Sequence, residues 1–109
     1  MKDIIDLHGA SGAKYRFRLW PQGAAHSPMG GNYAFVREEP GGFVMLAGAA
    51  IDDLSLTRST YGAAAAALGA THLFTRLNVS RAVRTAEADD IAAYYDLRAK
   101  PARAAKRGG

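Results

Sequence analysis

Gly30-Gly31-Asn32-Tyr33-Ala34-Phe35-Val36, followed after a charged turn by Phe43-Val44-Met45-Leu46-Ala47-Gly48, is the stretch on which the fold turns. Its apolar residues run almost without interruption, the pattern of strands covered on both faces rather than half solvated. Between them Arg37-Glu38-Glu39-Pro40-Gly41-Gly42 supplies charge, a fixed φ at Pro40 and glycines free to adopt positive φ. Residues 30–48 therefore read as a tight hairpin of two buried strands at the centre of the sheet.

Upstream, Lys14-Tyr15-Arg16-Phe17-Arg18-Leu19 alternates polar and apolar side chains, the mark of a half-buried strand. A strand over residues 4–8 can pair with it through the loop 9–13, in a register that sets Leu7 opposite Tyr15, Ile5 opposite Phe17 and Asp6 opposite Arg16. Lys14, Arg16 and Arg18 then form a cationic ridge, which reads as a solvated outer face ahead of a phosphate-binding one. Trp20-Pro21 closes this hairpin, and residues 21–30 read as a loop.

Downstream the period changes. Asp52 and Asp53 can cap a helix that runs to Leu68 and stops at Gly69; a start at Ser59 or Thr60 is the alternative. In the longer register Arg58 falls on the core-facing stripe with Leu54, Tyr61, Ala65 and Leu68. Residues 71–78 read as a strand with Leu73, Thr75 and Leu77 on one face, and Ser80 caps a second helix to about Leu97. The expected buried stripe of that helix is Ala82, Val83, Ala86, Ala93, Tyr94 and Leu97, with Asp90 inside it and Glu87 on its flank. A carboxylate on such a stripe marks either a salt bridge or a site.

The chain of 109 residues makes one domain. Its expected fold is α/β of the α+β kind: a small mixed, mostly antiparallel three-stranded central sheet with two packed helices, plus an N-terminal β-hairpin at its edge. The domain covers residues 1–97, with the hairpin at 3–20 and the core at 30–97. Residues 98–109 read as a basic, disordered tail.

Composition narrows the function classes. Without cysteine there is no disulfide or thiolate metal site, and His8, His26 and His72 stand singly without ligand spacing. No apolar run approaches the ~20 residues of a membrane span and the N-terminus has no signal-peptide pattern, so a cytoplasmic location is expected. The net charge is +4, but Arg98, Lys100, Arg103, Lys106 and Arg107 follow every acid, which leaves residues 1–97 with nine bases against ten acids. The basicity is largely a property of the tail. Arg76, Arg81 and Arg84 form a second basic group, at the end of the third core strand and the start of the second helix.

An inward arginine, Arg58, a carboxylate, Glu87, and a hairpin tyrosine, Tyr33, together make a kit for metal-assisted phosphodiester hydrolysis. On residues alone, an ion pair from Arg58 to Glu87 or Asp90 with Tyr33 as a core aromatic is the preferred reading.

The order of elements resembles the GIY-YIG nuclease superfamily, small bacterial and phage members in particular, over residues 30–96. Gly31-Asn32-Tyr33 stands at the first motif, Leu46-Ala47-Gly48 at the second, and Glu87-Ala88-Asp89-Asp90-Ile91-Ala92-Ala93-Tyr94 resembles the metal-binding helix. The resemblance implies Tyr33, Arg58 and Glu87 as catalytic residues, with Glu87 as ligand to Mg²⁺ or Mn²⁺. Leu46 replaces the family's second tyrosine, and the proline and asparagine that follow the metal-binding helix are absent. The expectation is therefore a catalytically impaired domain that binds DNA or RNA, through Arg76, Arg81, Arg84 and the tail arginines and lysines. The alternatives are an active divalent-metal-dependent endonuclease and a protein-interaction or assembly module without a nucleic-acid role.

Overall fold

Alternation and turn chemistry build the sheet from its hairpins outward. In the computed structural model, which describes residues 1–97, β1 (Ile4–His8) and β2 (Lys14–Leu19) pair antiparallel with Leu7 opposite Tyr15, Ile5 opposite Phe17 and Asp6 opposite Arg16, the register expected from the sequence. The central hairpin is formed by β3 (Gly31–Glu39) and β4 (Gly42–Ile51), joined at Pro40-Gly41, where Gly41 takes φ +83°. That positive φ is open to glycine at little cost.

A bulge divides β4. Phe35 pairs with Ala47 but Val36 pairs with Met45, so Leu46 is the extra residue. Odd-numbered side chains consequently change sides along the strand. Phe43 and Met45 join the cluster on one face, whereas Ala47, Ala49 and Ile51 join the cluster on the other. Both faces of this hairpin are covered, which is why its apolar run is nearly continuous.

The expected three-stranded mixed sheet is corrected here. A single curled sheet of five strands runs in the order β1-β2-β5-β3-β4, and every neighbouring pair is antiparallel. The strand β5 (His72–Leu77) returns between the two hairpins, pairing with β3 along its length and with β2 at Arg18–Thr75 and Leu19–Phe74. The N-terminal hairpin is thus an integral part of the sheet. Backbone groups on both sides of β5 need partners, and only a strand on each side supplies them.

After β4, Asp53 caps a single 3₁₀ turn (Leu54–Leu56) by accepting from the Ser55 amide at 2.9 Å, and the α-helix α1 (Thr57–Ala67) follows without a side-chain cap. The second helix, α2 (Arg81–Tyr95), begins at Ser80, whose hydroxyl accepts from the Val83 amide at 3.3 Å. No helix among the described residues is long and apolar enough to cross a membrane.

The two helices lie on opposite faces. Ile91 of α2 packs with Leu7, Phe17, Ala34, Val36 and Phe74. Ala65 of α1 packs with Trp20, Tyr33, Phe35, Leu54 and Leu73. Neighbouring strand residues point to opposite sides, so Ala34 and Phe35, like Phe74 and Leu73, divide between the two clusters. Full burial of side chains such as Phe17 and Phe74 stabilises by about 1.5–3 kcal/mol each.

The rotation of α2 also differs from expectation. Val83 and Tyr94 are exposed, as are Ala82, Ala86 and Ala93, while Arg84 and Ile91 are buried. A helix buries the face whose polar atoms the sheet can satisfy, and here Arg84, Glu87 and Asp90 all find partners on the sheet side.

Candidate functional site

The residues expected to form a catalytic centre do not converge. Tyr33 lies on the α1 face of β3, buried in an edge-to-face contact with Phe35 and stacked at 5.2 Å on Tyr61. Burial pushes its phenol well above the ordinary tyrosine range, so it stays protonated near neutral pH and is a poor base. Gly31, at the start of the same strand, leaves no room for a Cβ against the Arg76 carbonyl and the Leu54 side chain. The glycine–tyrosine pair of the first motif therefore has a packing explanation.

Glu87 belongs to α2 and the other face. Its Oε1 accepts from Arg76 Nε at 2.8 Å and from Asn78 Nδ2 at 2.9 Å, and Asn78 Nδ2 also reaches Asn32 Oδ1 at 3.1 Å. The buried Asn32 completes the chain by donating to the Arg84 carbonyl at 2.8 Å. A carboxylate already flanked by a guanidinium and an amide donor does not suit a divalent cation, and no group of three His, Asp or Glu side chains with metal-site geometry occurs among the described residues. The expected ion pair from Arg58 to Glu87 or Asp90 does not form either, because the sheet stands between the two helices.

Asp90 is a structural clasp. It accepts from the Ser11 amide at 2.9 Å, the Ser11 hydroxyl at 2.6 Å and the Tyr15 hydroxyl at 2.8 Å, and so fixes the β1–β2 loop. These hydrogen bonds, the Ser11 hydroxyl first, hold its carboxyl below the ordinary range. Gly9 passes so close to this carboxylate that a Cβ would overlap it.

The second basic group is largely committed to the fold. The buried Arg84 donates to Asp52 Oδ1 at 2.5 Å and to the Val79 carbonyl at 2.9 Å, while Arg76 holds Glu87 and lies 5.5 Å over the Tyr15 ring. Only Arg81 is exposed. The tail bases Arg98, Lys100, Arg103, Lys106 and Arg107 lie outside the described residues.

Two features remain open. Lys14, Arg16 and Arg18 are exposed along one side of β2, opposite the buried Phe17 and on the α1 face of the sheet. Arg16 pairs with Asp6 at 3.4 Å in an exposed pair. Beside them, between the end of β2, the start of β5 and α1, lies a cavity of about 600 Å³. Arg58 borders it with the guanidinium 4.6 Å over the Trp20 ring, donating to the Trp20 carbonyl and, at 3.2 Å, to Gln22 Oε1. Its Nε is buried without a hydrogen-bond partner, and desolvation lowers its pKa from the ordinary arginine value. The sequence singled out Arg58 as a cation in want of a partner; the cavity beside it had no sequence signal beyond the small side chains of the alanine run.

In comparisons with known proteins, the chain matches no family model, and neither the curated proteins nor the solved structures yield a match.

Proposed function

We propose that the chain is a non-catalytic nucleic-acid-binding domain related to the GIY-YIG superfamily, and that its described part contacts phosphates through Lys14, Arg16 and Arg18. The observation that carries this reading is the row itself: three exposed cations on one side of a strand against the single carboxylate of Asp6. Strand geometry spaces successive members by about 7 Å, so each can meet a different phosphate of an extended strand. Relation to the superfamily is supported by the order hairpin, helix, strand, helix. Catalysis is not included, since Tyr33 and Glu87 occupy opposite faces of the sheet.

Fluorescence anisotropy with labelled single-stranded and duplex oligonucleotides, across a salt series, tests the proposal. Wild-type protein should bind at low salt and weaken steeply as salt rises. The triple replacement Lys14→Gln, Arg16→Gln, Arg18→Gln should flatten the slope of log K against log salt by about 2 for a single strand, the counterion release of three phosphates. Absence of binding at low salt, or a slope that the triple variant leaves unchanged, overturns it.

A further inference from the structure

The cavity beside α1 has a chemistry distinct from the cationic row. Its volume of about 600 Å³ falls in the range of small-molecule sites. Phe35 and Leu73 of the sheet and Ala63, Ala66 and Ala70 on the helix side supply apolar wall, and Gln22, Thr71 and His72 are its polar lining beside Arg58. The alanines are why the space exists, because a helix face of larger side chains would fill it. Among the residues that line it, Arg58 is the one with a full charge, and no Asp or Glu is present. The partners of Arg58 are neutral oxygens, those of Trp20 and Gln22, and its Nε has none. A partly buried guanidinium without a counter-charge carries a desolvation cost, and a negative group brought to it recovers that cost.

We propose that this cavity binds a small organic monoanion, a carboxylate carried on an apolar body, with the carboxylate at Arg58 and the body against Phe35, Leu73 and the alanine face of α1. A monoanion is favoured over a phosphate dianion because one guanidinium, with two of its nitrogens already donating, would leave a second negative charge uncompensated. This inference does not rest on nucleic-acid binding, and its residues are not those of the cationic row.

The chain's one tryptophan, Trp20, borders the cavity and supports Arg58, so its fluorescence reports on occupancy. The full chain is titrated with benzoate and octanoate, and with benzamide and octanamide as neutral analogues, by Trp20 fluorescence and in parallel by saturation-transfer NMR. The acids should bind saturably and the amides about tenfold more weakly or less. Arg58→Gln should weaken the acids by about ten- to hundredfold, the range of a charge-assisted hydrogen bond. Ala66→Leu keeps the helix propensity high, fills the space and should abolish binding; circular dichroism confirms that both variants are folded. No saturable binding of either acid, amides that bind as well as acids, or acid binding that survives both substitutions overturns the proposal. The oligonucleotide slope is measured on the same samples, so loss of one activity with retention of the other separates the two proposals.

Discussion

Glu87, Asp90 and Arg84, on the helix that covers one face of the sheet, all have polar partners within 3 Å, whereas Arg58, on the helix that covers the other, meets neutral oxygens and leaves its Nε unpaired. The α2 side is a closed network in which the Asn32, Asn78, Glu87 and Arg76 side chains satisfy one another. The α1 side is an alanine-rich helix over an open cavity. Buried polar groups that satisfy each other stabilise and specify a fold, while a cation facing empty space is available to a ligand. The difference assigns the α2 carboxylates to architecture and directs attention to the opposite face.

Substitutions can break this comparison. The largest effect is expected from Asn32→Leu, which removes the buried side-chain donor to the Arg84 carbonyl and the acceptor of one Asn78 contact; chemical denaturation should register a loss of about 2–4 kcal/mol. Glu87→Gln should follow at about 1–2 kcal/mol, since Arg76 loses its counter-charge in a half-buried setting. If Glu87→Gln leaves stability untouched, Glu87 is not part of the frame.

Asp90 adds a pH dependence. Its carboxyl titrates below the ordinary range, so its contribution is complete above the ordinary carboxyl pKa and disappears as pH falls through the lowered one. Asp90→Asn should therefore lower the melting temperature at neutral pH and narrow its gap to wild type below about pH 4. A gap that stays constant with pH would remove the ionised carboxylate from the account.

The smallest effect belongs to the open face. Arg58→Met should shift stability by less than about 1 kcal/mol, because the lost stacking on Trp20 is offset by relief of a desolvated charge. A loss as large as that of Asn32→Leu would erase the contrast between the two faces.

Much of the frame is legible in the residues. Alternation fixed the β1–β2 register to the residue, since a slip of one position would turn Leu7 and Phe17 to solvent. The place of β5 is not legible, because strand order depends on which edges meet after the chain returns from α1. The rotation of α2 misleads for a related reason: Ala82, Val83, Ala86, Ala93 and Tyr94 suggest a buried stripe by hydropathy alone, but Glu87 and Asp90 are the side chains for which the sheet holds partners, and the Arg84 guanidinium reaches Asp52 and the Val79 carbonyl beside the strand ends.

The sequence by itself therefore determined the strands, the two helices, the cap at Ser80, and the cationic row of β2, all of which follow from local periodicity and local hydrogen bonding, while the start of the first helix stayed open between two registers. Tertiary structure alone decided that five strands share one sheet, that Leu46 is a bulge, and that Tyr33 and Arg58 lie across the sheet from Glu87. Local rules state which face a side chain takes on its own element; which elements then share a face is set by pairing between distant segments, and no pattern within one segment encodes it.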